Sequence, residues 1–323
     1  MIETTEAVWV APEFKFHTGE VMPQLRIAYI TVGDPSGIPV LILHGTTGSA
    51  QGLLSDDFAG ELFGPGQPLD ARKYFIVMPD AIGAGRSSKP SDGLRMQFPH
   101  YNYTDMVNAQ YRLLTEGLGV THVRMVLGNS MGGMHAWLWG AMYPDFMELL
   151  VPMAATPAAM SGRNWMTRRL IIDAIRNDPQ WMDGNYVTQP PSLQFASVFF
   201  AIATNGGDQH LQALAPTREA ADRLLAQRFQ APFVGDANDH LYLWEASRDY
   251  DPEPVLHHIK ARVLAITSAD DERNPPGLGI IASKIQSMPN AQWVLIPASP
   301  ETSGHGTTGQ AIWWKHEIER LLG

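Results

Sequence analysis

Residues 123–134 read VRMVLGNSMGGM, and the fold turns on how they are parsed. An apolar run (Val123, Met125, Val126, Leu127) leads into Gly128-Asn129-Ser130-Met131-Gly132, and His135-Ala136-Trp137-Leu138-Trp139 continues with helical character. That is strand, sharp turn, helix, with a serine at the apex. A G-x-S-x-G pentapeptide in this setting puts the serine on a strained strand-to-helix turn, its Oγ exposed at the end of a sheet. The flanking glycines are needed because a Cβ there would collide with the neighbouring strand or helix. The first amides of the following helix point toward the reacting centre and favour negative charge. A glycine-serine turn before a buried helix would show the same five letters, so the strand before and the helix after give the match its meaning.

Working outward, residues 39–43 and 74–78 are continuous apolar runs, as in strands covered on both faces. The first ends in His44-Gly45-Thr46-Thr47-Gly48-Ser49, the second in a glycine-rich loop over residues 79–88. Between that loop and the opening stretch, residues 105–118 are apolar at helical spacing (Met106, Ala109, Leu113, Leu114, Leu118). Nearer the start, Phe14 and Phe16 alternate with Lys15 and His17, and residues 25–32 form a second strand pattern before a turn at residues 33–37. These two strands are expected to pair as an antiparallel hairpin.

Downstream, residues 155–246 hold no convincing buried strand. Methionine, tryptophan and arginine fall in helical patches there, followed by Phe195, Phe199 and Phe200, with breaks at Pro190-Pro191, Gly206-Gly207 and Pro216. Strands resume at residues 261–267 and 292–296, and an amphipathic helix over residues 310–322 closes the chain. The pattern predicts an α/β fold with a mostly parallel central sheet and helices on both faces. Residues 1–154 and 247–323 are the expected core domain, and residues 155–246 a helical cap inserted into it.

The 323 residues are enough to bury a substantial core, and 45% apolar with 17% charged residues fits an ordinary globular protein. A formal net charge of −10 argues against nucleic acid or an anionic membrane surface as the main partner. The absence of cysteine removes disulfides, thiolate metal sites and a thiol nucleophile together. The acidic first residues lack the basic start and apolar core of a signal peptide, and no apolar run is long enough to span a bilayer, so a cytoplasmic location is expected.

Ser130, the pair Asp270-Asp271 and His305 follow one another in the order nucleophile, acid, histidine, each just past the carboxyl end of a predicted strand. A serine hydroxyl is a poor nucleophile at neutral pH. It needs an imidazole to take its proton, and the imidazole needs a carboxylate to fix its tautomer and stabilise its charged form. Only one of the adjacent aspartates can face the histidine; Asp271, four residues before Pro275, is favoured, leaving Asp270 to cap the turn or face solvent. Donors for a developing oxyanion are expected from the Met131 N–H and from the turn after residue 43, at Thr46. His44 and His135 are expected to line or support the pocket, and Thr47, Trp165, Arg168 and Arg169 to face a small-molecule acyl substrate. The loop at Gly83 completes no phosphate-binding motif and no metal motif is present, so no cofactor is expected.

The chain resembles the α/β-hydrolase superfamily and, within it, the homoserine O-acetyltransferase-like family. The resemblance rests on Phe16, Gly19-Glu20, Ile27-Ala28-Tyr29, Thr31 and Gly33, Gly64-Pro65-Gly66, Phe98-Pro99 with Asp105-Met106-Val107, and above all Ser130-Met131-Gly132-Gly133-Met134. Tyr143-Pro144-Asp145, Asn177-Asp178-Pro179, Trp181 and Gly184 extend it. It implies a Ser-Asp-His triad, a double-displacement acyl-enzyme mechanism and a homodimer formed through cap helices. Two positions depart from the family. Ile172 stands where the acetyltransferases carry an arginine for the amino acid's carboxylate, and Gly306-Thr307-Thr308 stands where Asp-Ala-Phe follows the histidine. Arg168 or Arg169 could substitute only through a different geometry. Losing both charged handles would cost a homoserine site its discrimination. The expected activity is therefore hydrolysis of a carboxylic ester through an acyl-enzyme. An O-acyltransferase is the first alternative and an amidase the second; a non-catalytic binding protein on the same scaffold ranks last.

Overall fold

The structure is a computed structural model describing residues 3–323; Met1 and Ile2, with which the expected core domain begins, lie outside the described residues. Strands β1 (Thr4–Lys15) and β2 (Val21–Val32) pair antiparallel, as the alternation predicts, but β1 begins ten residues before Phe14. β3 (Ile38–Leu43) and β4 (Tyr74–Pro79) pair parallel, and β2 closes onto β4 antiparallel. β5 (Val123–Asn129), β6 (Met147–Met153), β7 (Arg262–Ser268) and β8 (Ala291–Ile296) extend the sheet in parallel. The order across it is β1-β2-β4-β3-β5-β6-β7-β8. Within β3, Leu41 and Leu43 join one core and Val40 and Ile42 the other, so the continuous apolar run is read on both faces of the sheet.

Short helix α1 (Ala59–Leu62) precedes β4, and α2 (Tyr103–Arg112) follows it. The start of α2 is fixed by a reciprocal cap: the Asn102 side chain accepts from Asp105 N–H at 3.0 Å, and the Asp105 carboxylate accepts from Asn102 N–H at 3.1 Å. The single helix expected over 105–118 ends instead in a π-helical turn, Leu113–Gly117. Helix α3 (Met131–Met142) is buried at every residue but Met142, as befits a helix apolar on all sides. Five helices lie between β6 and β7 in chain order: α4 (Gly162–Arg176), α5 (Pro191–Thr204), α6 (Asp208–Leu214), α7 (Arg218–Gln230) and α8 (Ala237–Glu245). α9 (Ile280–Gln286) and α10 (Lys315–Leu322) complete the fold. No helix among the described residues is long and apolar enough to cross a membrane.

Strand β6 and helix α9 have no counterpart in the sequence expectations. Pro152 cannot donate to a ladder, and the β6–β7 register passes from Leu150↔Val263 to Met153↔Ile266 with the proline between. The last helix begins at Lys315, not at residue 310, because residues 311–313 form a 3₁₀ turn that seats the fully buried Trp314 indole against Thr308 O at 3.0 Å.

What positions the centre of the sheet is the approach of α3 to β3 and β5. A Cβ on Gly132 would lie 2.2 Å from Leu43 O, and one on Gly128 would lie 2.1 Å from Gly132 O. Both contacts are with backbone that cannot swing aside. Gly132→Ala is therefore expected to lower the unfolding free energy by about 2 kcal/mol or more. A urea midpoint equal to that of the parent chain would refute this account of the packing.

Candidate active site

At the end of β5 the chain enters α3 through Ser130, whose φ of 57° and ψ of −112° lie where a residue bearing a Cβ is strained. Two bonds hold it there: Ser130 N–H donates to Met153 O and Met134 N–H to Ser130 O, each at 2.9 Å. The hydroxyl is thereby turned toward the loop after β8. His305 Nε2 stands 2.8 Å from Ser130 Oγ, and His305 Nδ1 lies 3.0 Å from both carboxylate oxygens of Asp271. All three residues are buried.

Asp271 is fixed from its own loop. Its Oδ1 accepts from Arg273 N–H at 2.8 Å and Asn274 N–H at 2.9 Å, and Asn274 Nδ2 reaches Oδ2 at 3.2 Å. Burial pushes the Asp271 carboxyl up, but the charge and hydrogen bond of His305 and the donors of Asn274 outweigh it and hold it below the usual range. For His305, burial lowers the pKa, the Asp271 charge works against that, and Arg273 and Arg168 push further down; the net direction is below an ordinary imidazole. At neutral pH the ring is uncharged and free to accept a proton.

The neighbours of Asp271 hold the histidine loop. Asp270, half-buried, accepts from Ser268 Oγ in its own turn, and beyond it from Thr302 Oγ1 at 2.7 Å and Gly304 N–H at 3.3 Å. Glu272 accepts from His305 N–H at 2.9 Å and from Gly207 N–H, in the turn between α5 and α6, at 2.7 Å.

The turn after β3 lies against the serine, since a Cβ on Gly45 would sit 3.6 Å from Ser130 Cβ. Gly48 N–H closes that turn onto Gly45 O at 2.9 Å. His44 supports it from behind: Nδ1 donates to Gly45 O at 2.7 Å and Nε2 accepts from Ala81 N–H at 3.0 Å, which fixes a neutral tautomer. Burial lowers its pKa accordingly. His135 is also fully buried, at 3.2 Å from Gln110 Nε2, with its pKa pushed down to about 3 by burial and by His44. Thr46 is buried with its hydroxyl unpartnered among the described residues.

A cavity of about 450 Å³ opens on this cluster, lined by Thr46, Thr47, Ser130, Phe200, Arg273 and His305 among others. Three residues expected to face a substrate stand outside its lining. Trp165 packs against the larger core. Arg168 is fully buried, with Nε on Asn164 Oδ1 at 2.9 Å, Nη1 on Ser247 Oγ at 3.2 Å and its guanidinium 5.0 Å from the Trp244 ring. Arg169 is half exposed and pairs with Asp173 one helical turn on, at 2.8 Å. The spacing of these residues marked a helix; which side of α4 met the cavity depended on its crossing with α5 and α8. Conversely, Arg273 and Asn205 line the cavity without having been expected there. For Arg273 the available signal was its position two residues past Asp271; for Asn205 the sequence carried none. Among the described residues no group of three or more His, Cys, Asp or Glu is disposed to hold a metal ion.

A family model described as alpha/beta hydrolase fold matches residues 38–302, and the chain belongs to that family. The homoserine O-acetyltransferase of Carboxydothermus hydrogenoformans is 31% identical to it over 309 residues, covering 82% of this chain and 80% of that protein. Among solved structures, homoserine O-acetyltransferase from Bacillus anthracis superposes with a TM-score of 0.86 at 20% identity, covering 100% of this chain and 98% of that one. An acetylester hydrolase from Corynebacterium glutamicum gives 0.83 at 20% identity, covering 98% and 95%. At such identities the likeness shows the fold alone.

The direction of the His305 shift is open to direct measurement. Titration of the His305 ring by NMR is expected to give a pKa below about 6.5, and Asp271→Asn, which removes the charge favouring imidazolium, should lower it further. A value above that of a free imidazole would overturn the electrostatic account.

Proposed function

We propose that this α/β-hydrolase cleaves a carboxylic ester through an acyl-enzyme on Ser130. The observation carrying this reading is the hydrogen-bonded line Ser130 Oγ–His305 Nε2–Asp271 at 2.8 and 3.0 Å, buried at the floor of a cavity of small-molecule size. Ser130 Oγ gives its proton to His305 and attacks the ester carbonyl. Asp271 holds the ring and stabilises the imidazolium. The oxyanion accepts from the backbone N–H groups of Thr46 and Met131; the latter, first in α3, has no intrahelical acceptor. Collapse expels the alcohol, which takes the proton from His305. A water, deprotonated by the same ring, then attacks the acyl-serine, releasing the acid and restoring Ser130.

In this reading residues 155–246 act as a cap over the core formed by residues 1–154 and 247–323, with Phe200 and Asn205 facing the reacting centre. The second reading, O-acyl transfer to an alcohol, uses the same residues and draws on the acetyltransferase relatives. Against homoserine as acceptor stand the buried, apolar Ile172 and the sequence Gly306-Thr307-Thr308. We further propose a homodimer through the exposed, mutually stacked rings of Phe195, Phe199 and Phe229 on α5 and α7, with centroids 6.4 and 6.2 Å apart.

Two experiments test these proposals. On a panel of acyl esters with product analysis, Ser130→Ala should lose roughly 10⁴-fold or more in kcat and its labelling by a fluorophosphonate. The acid limb of kcat/KM should follow the His305 ionisation, with free acid as the product in the presence of acceptor alcohols. Unlabelled native protein would sink the enzyme mechanism, and acylated alcohol as the main product would favour transfer. In sedimentation, the native chain should run as a dimer and the Phe195→Glu/Phe199→Glu variant as a monomer; a native monomer at micromolar concentration would rule the dimer out.

A further inference from the structure

Arg273, on the loop after β7, lines the cavity that holds Ser130 and also a second cavity bounded by Ala158, Arg163 and Pro275. Its Nε donates to Thr204 O and Thr204 Oγ1, each at 3.1 Å, and its guanidinium carbon lies 4.5 Å from the Phe200 ring centroid. These contacts fix the plane of the group and use one of its nitrogens. The Nη pair has no carboxylate within 4.0 Å among the described residues. The two nearest acids are engaged elsewhere, Asp271 on His305 and Glu272 on two backbone N–H groups. Burial and the neighbouring Arg168 lower the Arg273 pKa to about 10, so the group stays charged at neutral pH.

The guanidinium is half-buried, with Asp271 and Glu272 favouring its charge from a distance, and its Nη edge lacks a direct carboxylate partner among the described residues, which leaves that edge free to pair with an anion supplied from outside. A planar fork with a free edge matches a carboxylate in two parallel hydrogen bonds. Two further polar atoms in the same lining, Asn205 Oδ1 and Thr46 Oγ1, are buried and without partners. The other cations near the site stand outside this lining: Arg168 is hydrogen-bonded to Asn164, Tyr103 and Ser247, and Lys89, in the adjoining cavity, donates to Gly85 O at 2.9 Å.

We propose that the ester taken by Ser130 carries a free carboxylate, received by the Arg273 fork, with Asn205 Oδ1 accepting a hydrogen bond from the same molecule. The inference rests on the acyl-enzyme reading of Ser130 and adds the substrate's charge to it. It does not depend on which half of the ester bears the carboxylate, and the test separates the two.

Two matched pairs of substrates serve as probes. Monoethyl glutarate against its ethyl methyl diester puts the carboxylate on the acyl side; 4-acetoxybutyrate against its methyl ester puts it on the alcohol side. The native enzyme should favour the anion by roughly 30-fold or more in kcat/KM in one pair, the scale of a desolvated charge pair. Arg273→Gln should bring that ratio to about one, and Arg273→Lys should keep part of it. A purely structural arginine would lower both members of a pair together and leave the ratio intact. A native ratio near one in both pairs, or a ratio unchanged in Arg273→Gln, overturns the inference. Fluorophosphonate labelling of Ser130 in the same preparation keeps the two failures apart. Labelled protein with no preference sinks only the carboxylate, whereas unlabelled protein sinks the acyl-enzyme.

Discussion

The geometry of the site depends on one backbone conformation, the left-handed turn at Ser130. A non-glycine residue in that region costs about 1–3 kcal/mol and persists only where its surroundings allow nothing else. Here the surroundings are backbone on three sides. Gly128 meets Gly132 O, Gly132 meets Leu43 O, and Gly133 meets Met153 O, each closer than a Cβ could tolerate. Helix α3 is therefore seated against β3, β5 and β6 at a separation side chains would not permit. The hydroxyl lies 2.8 Å from the His305 ring because α3 can sit nowhere else. The strain is local, and the packing that sustains it runs through the middle of the sheet.

The second constraint is electrostatic. Asp270, Asp271 and Glu272 are three successive acids, an arrangement that repels itself unless each carboxylate finds its own donors. Asp270 takes two hydroxyls and a backbone N–H, Asp271 the imidazole, the Asn274 amide and two backbone N–H groups, and Glu272 two backbone N–H groups. Two of the three hold the loop whose ring the third orients. Glu272 does more, since Gly207 lies in the turn between α5 and α6 and His305 in the loop after β8. One side chain thus ties the turn between α5 and α6 to the loop that carries the His305 ring. Arg273 follows directly after these acids without pairing to any of them, and its push on the imidazole opposes that of Asp271.

Much of this was legible in the chain. Residues 39–43 and 123–127 declared buried strands by continuous apolarity, the glycine spacing declared the turn at Ser130, and strand ends located Asp271 and His305. What failed to show has physical reasons. Strand β6 hid behind Pro152, tolerated because the ladder to β7 skips that position. Asp270 looked redundant because two of its partners, Thr302 and Gly304, lie more than thirty residues away. The residues lining the cavity were the least legible. Helical period identified Trp165, Arg168 and Arg169 as part of a helix, but the face that meets a cavity is set by packing angles that no local pattern encodes.

Ile171 meets the cavity from α4, while Arg168 on the same helix is buried outside its lining. Arg273 supplies the cation of that lining, on the loop that also carries Asp271. A guanidinium held by Thr204 and Phe200 has little freedom to follow a mobile side chain, and its fork is aimed before any ligand arrives. Because Phe200 and Thr204 belong to α5, its aim depends on the inserted helices remaining seated. In the proposed reading, the anchor for the substrate's charge and the acid that orients the histidine share one short loop, Asp271 to Asn274. A change in that loop would alter both at once, so a switch of substrate charge in this chain cannot be made independently of the base.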